Sequence, residues 1–259
     1  DKTMKPRIRL ATTSTPDGGE MGLYQHDSDF LIVVNGETLM TSRQHESELE
    51  LARLGCAHLA DREAPRILIG GLGMGYTLQQ ALDTLEYDAK VVVSELLPAV
   101  VDWNREFLGE LNRQPLDDDR TEIITGDIFP LLLNSVNKFD AILLDVDNGS
   151  RAITDSGNNQ LYTPAGIETC RRALHKQGCL AIWSAEPSKD FEHLLMSCGF
   201  HVRRYRVPTY QATHTKHAFI WIAAEDISIF PPGGGEPHPP KKKKQKGSRY
   251  TRGRRPSSE

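Results

Sequence analysis

Residues 66–82 read "RILIGGLGMGYTLQQAL". A short apolar run, Ile67 to Ile69, leads into glycines at 70, 71, 73 and 75, and a helical pattern follows. This is the sequence of a buried strand, a tight turn and a helix opening toward the turn. Glycines at 71, 73 and 75 let the backbone come close to a ligand, and the helix N-terminus presents free N–H groups to it. The pattern is shared by dinucleotide and other nucleoside sites, so the flanking sequence has to narrow the choice.

Outward from this stretch the chain alternates strand and helix. Strands are expected at 66–70, 90–95, 121–125, 139–145, 179–185, 201–207 and 217–224. Helices are expected at about 75–86, 97–109, 128–136, 163–175 and 188–197. The central strands are near-continuously apolar, as in a parallel sheet covered on both faces. The last two lie close together, which predicts a hairpin with the final strand antiparallel to the rest. The fold class is therefore α/β: a doubly wound, seven-stranded, mostly parallel Rossmann-like sheet. Its ligand belongs beyond the carboxyl ends of the central strands.

Upstream, residues 1–44 read as short strands forming a small N-terminal antiparallel β appendage. Asn35-Gly36 is a strong hairpin signal between "DFLIVV" and "ETLMTS". Residues 45–61 read as a helix with Leu49, Leu51, Leu54, Cys56 and Leu59 toward a core. The α/β domain then runs over 45–230. The segment 231–259 is rich in Pro, Gly, Lys and Arg, with Tyr250 its only aromatic. It lacks the apolar surface to offset the entropy of ordering and is expected to be a disordered basic tail.

Composition sets the outer bounds. The chain has 259 residues, 38% hydrophobic and 25% charged, with a net charge of −4, ordinary for a globular protein with a sizeable core. Nine of the basic residues fall within 241–255, so an acidic domain is joined to a basic tail able to contact a nucleic-acid backbone. No apolar run approaches the roughly 18 residues needed to span a bilayer. The N-terminus lacks an apolar signal segment. Cys56, Cys170, Cys179 and Cys198 show no metal spacing and are expected in the core of a cytoplasmic protein. Trp103, Trp183 and Trp221 likewise read as core. His214 and His217 are three apart without a third ligand nearby, and no metal site is expected.

An acid closes each of three strands beyond the glycines. Glu95 ends the second, about 20 residues on, where a carboxylate can bind ribose hydroxyls. Asp127 follows the third, in "TGDIF". Asp145 and Asp147 follow the fourth, in "LLDVDNGS". The three together describe a nucleoside pocket with a reaction centre beside it. For Asp127 a simple helix-capping role is the competing explanation.

From about Phe30 to Ala224 the chain resembles the spermidine synthase family, which shares the fold of the AdoMet-dependent methyltransferases. "VVNGETLMTSRQHESE" is similar to that family's N-terminal hairpin and helix entry. "ILIGGLGMG" is similar to its glycine motif, "VVVSELLPAVVD" to its ribose-binding segment, and "ITGDIFPLL" to its adenine-side segment. "KFDAILLDVDNGS" resembles its catalytic strand, "NQLYTPAGIETCRRALHKQGCLAIW" the helix and strand beyond, and "VPTYQATHTKHAFIWIAA" the segment before the closing strand. The resemblance implies that Glu95 binds ribose, that Asp127 and the backbone at Ile128 face adenine, and that Gly71, Gly73 and Gly75 approach the sulfonium side. It implies that Asp145 sits beside the reacting centre, with Tyr210 lining the acceptor pocket. It also implies AdoMet or decarboxylated AdoMet as co-substrate, an amine or other small-molecule acceptor, and a homodimer.

Four departures bear on the reaction. The family's glycine motif carries an aspartate that grips the aminopropyl amine, and here that position is Gly73. The family's second catalytic aspartate is replaced by Asn148, followed by Gly149 rather than proline. Glu48-Leu49-Glu50 stands where Tyr-His-Glu belongs, and Gln211 replaces the proline after Tyr210. Glycine at 73 leaves room for a methionine carboxylate, so methyl transfer to an unidentified acceptor is the preferred expectation. The polar loop 147–160 would then close over the substrate. The alternative is an aminopropyltransferase with an altered amine site that uses Asp145 and Asp147. A third is a non-catalytic nucleoside-binding scaffold whose tail contacts nucleic acid.

Overall fold

The computed structural model describes residues 6–145, 160–210 and 216–235. Asp147, most of the 147–160 loop, Asn148, Gln211, His214 and the basic segment 241–255 lie outside the described residues.

Four antiparallel strands form the N-terminal sheet in sequential order: β1 (Ile8–Ser14), β2 (Glu20–His26), β3 (Asp29–Val34) and β4 (Glu37–Thr41). The β3–β4 turn has Asn35 at φ 50° and Gly36 at φ 85°. These left-handed values match the twist of a two-residue hairpin, and Asn and Gly adopt them at little cost. Helix α1 (Glu46–Cys56) then enters the main domain. Leu51, Cys56 and Leu59 are buried, while Leu49 and Leu54 pack against the core from its margin.

The seven-stranded sheet has the order β10-β11-β9-β8-β5-β6-β7. Its strands are β5 (Arg66–Gly70), β6 (Lys90–Glu95), β7 (Thr121–Thr125), β8 (Phe139–Leu144), β9 (Leu174–Ser184), β10 (His201–Pro208) and β11 (His217–Ala224). The pairs β5–β6, β5–β8, β6–β7 and β8–β9 are parallel. Strand β11 pairs antiparallel with both β9 and β10, so the closing hairpin turns back on itself as the sequence suggests.

Helices cover both faces. Leu51 of α1, Leu78 and Leu82 of α2 (Tyr76–Thr84), and Val100 and Val101 of α3 (Pro98–Trp103) share one core cluster with the N-terminal sheet. Leu132 of α4 (Ile128–Leu133), Ile167 of α5 (Pro164–Ala173) and Leu195 of α6 (Lys189–Ser197) belong to the opposite cluster. Helix α1 lies unusually close to the sheet because residue 55 is glycine. A methyl group there would overlap Leu143 Cδ2 and stand 3.1 Å from the Ala181 methyl.

Two expected elements differ. The expected 97–109 helix is α-helical only to Trp103, then widens into a π turn over Asn104–Leu108 and tightens to a 3₁₀ turn over Gly109–Asn112. Strand β9 begins at Leu174, five residues ahead of the expected start, with Leu174 paired to Phe139 across a register shift. Cys56, Cys170 and Cys179 are buried as expected, whereas Cys198 is only partly so. Of the tryptophans, Trp103 and Trp221 are buried and Trp183 is half-buried.

Candidate active site

The carboxyl edge of the sheet is stitched together by backbone bonds that continue past the strand ends. Gly71 N donates to Ser94 O at 2.9 Å, Gly126 N to Glu95 O at 2.8 Å, and Asp145 N to Gly70 O at 3.2 Å. The exits of β7, β6, β5 and β8 are thereby fixed side by side, bringing Asp127, Glu95, Gly71 and Asp145 onto one edge. The side chain of Ser94 adds a bond to Gly126 O at 3.1 Å.

The glycine turn adopts left-handed backbone at Gly71, Gly73 and Gly75, with φ of 89°, 53° and 87°. Two asparagines hold it from behind. Asn104 Nδ2 donates to Gly73 O at 2.8 Å and to Val100 O at 2.9 Å, and Asn112 Nδ2 donates to Met74 O. Asn104 opens the π turn and Asn112 ends the 3₁₀ turn that follows it; such widenings concentrate at functional sites. Both asparagines are buried. The sequence reading missed both as supports of the turn: Asn104 lies inside the expected 97–109 helix and Asn112 just beyond it.

Glu95 is 7% exposed. Its Oε2 accepts from Leu72 N at 2.8 Å and its Oε1 from Leu97 N at 2.9 Å. Burial pushes its pKa above the usual glutamate value, with backbone N–H groups pulling the other way. The backbone N–H groups of Leu72, Gly73, Leu96 and Leu97 gather around this carboxylate.

Asp127 is exposed and Asp127 Oδ1 accepts from Phe129 N at 2.9 Å, capping α4. The capping role is therefore present at this residue. Ile128 is buried, and its Cδ1 would meet a methyl group on Gly70 at 2.8 Å. Asp145 is half-buried at the exit of β8, with its carbonyl 3.3 Å from where a Gly71 Cβ would stand. Tyr210 is half-buried beyond the end of β10. That strand is three places from β8 in the sheet.

A Cβ on Gly73 would stand 3.1 Å from Met40 Cε and 3.2 Å from Met40 Sδ, so the thioether of β4 borders the glycine turn. Nearby, Tyr76 stacks on His45, centroids 4.0 Å apart. Tyr76 Oη donates to Ser42 O at 3.3 Å and the His45 Nδ1 lies 2.7 Å from the same oxygen. The Tyr76 hydroxyl is pushed up to about 12, by burial first and then by Glu48 and Asp29. The N-terminal sheet is thus clasped to the start of α2.

A sheet wound in this order, together with a small N-terminal antiparallel sheet, defines a methyltransferase-like α/β fold. The family model described as the spermine/spermidine synthase domain matches residues 54–211, and the chain belongs to that family. A polyamine aminopropyltransferase of Saccharolobus islandicus (strain Y.N.15.51 / Yellowstone #2) is 29% identical over 126 residues, 49% of this chain and 40% of that protein. One from Nitrosomonas europaea is 32% identical over 151 residues, 57% of this chain and 44% of that protein. The chain thus spans less than half the length of these curated relatives. The spermidine synthase from Thermotoga maritima superposes with a TM-score of 0.68 at 18% identity, covering 87% of this chain and 76% of that one. A spermidine synthase in complex with the transition state analogue AdoDATO gives 0.69 at 20%, covering 87% and 77%. Among the described residues, no helix is long and apolar enough to cross a membrane.

Proposed function

We propose that the protein transfers an aminopropyl group from decarboxylated AdoMet to an amine acceptor. The observation that carries this reading is the stitched carboxyl edge, which sets Glu95, the glycine turn and Asp145 on adjacent strand exits of a chain in this family. The relatives that the chain resembles are polyamine aminopropyltransferases, which favours this reading over methyl transfer.

In this reading Glu95 holds the ribose hydroxyls, Asp127 and the backbone at Ile128 face the adenine, and the glycine turn lies along the sulfonium. Asp145 accepts a proton from the acceptor ammonium, so that a neutral nitrogen attacks the carbon next to sulfur. The new C–N bond forms as the C–S bond breaks. Sulfur keeps the electron pair, and neutral methylthioadenosine departs. The rest is positioning: holding nitrogen, carbon and sulfur in line can supply a large share of the rate.

The deciding experiment measures decarboxylated AdoMet binding by calorimetry and methylthioadenosine release with a panel of amines. Binding together with amine-dependent release supports the reading. In Asp145→Asn, release should fall at least a hundredfold while the nucleoside binds within about threefold of the parent, in keeping with loss of a general base. Tighter binding of AdoMet than of the decarboxylated form, with methyl transfer to any acceptor, would overturn it.

A further inference from the structure

A cleft of about 290 Å³ lies between the N-terminal sheet and the segment that follows α3, near the lower end of the size of small-molecule sites. Phe30 of β3 lines it on one side. Arg105, Glu106 and Phe107 of the π turn and Glu110 of the 3₁₀ turn line it on the other. This is the segment that holds the glycine turn: Asn104 donates to Gly73 O from its start, and Asn112 to Met74 O from its end. One short stretch of chain therefore borders both the cleft and the glycine turn.

That stretch is held in a conformation its sequence does not favour. A π turn is rare, and this one leads to Arg113 and Gln114 at φ 58° and 56°. Two successive residues with side chains in the left-handed region persist only where their surroundings hold them, and such strain gathers at ligand clamps and switches. Gln114 also lines the cleft, and its backbone N donates to Gly109 O at 2.9 Å. A molecule seated there rests on the strained turn itself.

The lining defines the ligand. Arg105, Glu106 and Glu110 are exposed, and among the described residues none of them forms an ion pair or a side-chain hydrogen bond. Phe30 and Phe107 are half-buried beside them. Two carboxylates and one guanidinium match two ammonium groups and one carboxylate. The rings suit an unbranched hydrocarbon stem with a cation at its end.

We propose that this cleft binds a basic α-amino acid with a straight aliphatic side chain, and that its occupancy tightens nucleoside binding at the glycine turn. The ammonium groups go to Glu106 and Glu110, the carboxylate to Arg105, and the stem lies against Phe30 and Phe107. A diamine offers Arg105 no partner and sets a second cation near it. A neutral amino acid leaves one glutamate unmatched. The sign of the coupling follows from the conformation. The cleft has this shape while Asn104 and Asn112 hold the turn, so a ligand that fits it favours that state. By reciprocity the nucleoside tightens the amino acid by the same factor. The coupling rests on the nucleoside reading of the glycine turn, whereas the cleft itself does not.

The test titrates the full chain by calorimetry with L-ornithine, its decarboxylated counterpart 1,4-diaminobutane, and L-norvaline, which lacks the side-chain ammonium. A Glu106→Gln/Glu110→Gln variant is titrated beside the parent, so that diamine held elsewhere on the protein is subtracted. At the cleft the parent should bind ornithine about threefold or more tighter than either analogue, the scale of an exposed charge contact. The double variant should lose that preference, and Arg105→Gln should independently bring ornithine down to the level of the diamine. Saturating ornithine should tighten methylthioadenosine about threefold or more in the parent and leave it unchanged in the double variant. Without ornithine the two proteins should bind methylthioadenosine within about twofold of each other, which checks that the variant is folded. Equal binding of ornithine by parent and double variant would overturn the proposal. So would a preference for either analogue, or a methylthioadenosine affinity indifferent to ornithine. If methylthioadenosine fails to bind the parent, the transferase reading falls and the coupling with it, while the ornithine titrations still decide the cleft.

Discussion

The Glu95 carboxylate ties Leu72, inside the glycine turn, to Leu97, ahead of α3, and does so while nearly out of water. Because burial raises its pKa in the folded chain, the folded protein holds this proton at a pH where the unfolded chain has already released it. Glu95 therefore contributes more to stability as pH falls from the folded value toward the ordinary glutamate value, and less as pH rises through that window. In the proposed reading nucleoside binding runs the other way, because the ribose hydroxyls would donate to the ionised carboxylate. Calorimetric titration with methylthioadenosine should show affinity falling on acidification at a pH above the ordinary glutamate range. Glu95→Gln should abolish this pH dependence and bind the nucleoside at least tenfold more weakly, since an amide nitrogen would then face a backbone N–H. Behind the turn, Asn104→Ala releases Gly73 O. The same titration should find a three- to tenfold loss of affinity, with a backbone acceptor left unpaired.

At this scale legibility followed range. Gly71, Glu95 and Asp145 could be placed from sequence because each closes a strand whose apolar run marks its own end. Asn104, Asn112 and Met40 reach the turn from other elements, and only their partners give them meaning.

Among the elements, the approach of α1 to the sheet depends on Gly55. A glycine in a helix interior costs about 1 kcal/mol relative to alanine when exposed, and here it allows contact with Leu143 and Ala181. Gly55→Ala should accordingly reverse the usual helix trend and destabilise the fold by about 1–3 kcal/mol through overpacking, read as a lower urea midpoint at unchanged slope. The central strands were legible almost to the residue, because runs such as "RILIG" and "KVVVSE" are bounded by breakers. The 97–109 helix was not. Its sequence carries helical periodicity throughout, and the widening at Asn104 answers to the glycine turn, a contact 31 positions away in the chain. The early start of β9 is similar: Leu174 leaves the helical pattern to pair with Phe139.

Across the whole molecule, the last described residues close the sheet's β10 edge. Gly235 N donates to Arg204 O at 2.7 Å, Arg204 N to Gly235 O at 3.1 Å, and Tyr205 Oη to Pro231 O at 2.6 Å. Arg203 lies over the Phe230 ring at 5.1 Å. A chain cut after Phe230 should therefore melt several degrees below one cut after Gly235. Loss of two or three bonds is worth about 1–3 kcal/mol, and for a protein of this size each kcal/mol moves Tm by about 2–4 °C. Scanning calorimetry of the two truncations checks it. The winding of the sheet was legible because strand and helix alternate. The antiparallel pairing of the last two strands followed from the short link between them, whereas the insertion of β11 between β9 and β10 did not.

The strand order also sets a timetable for synthesis. Strand β5 pairs with β6 on one side and β8 on the other, but β6 and β7 leave the ribosome well before β8. At about 5–20 residues per second, one edge of a strand buried along nearly its whole length waits for several seconds, unpaired and adhesive. A nascent chain paused between β7 and β8 would be the species that a holding chaperone meets, and slowing translation there would send more of the protein into aggregates than slowing it anywhere after β9.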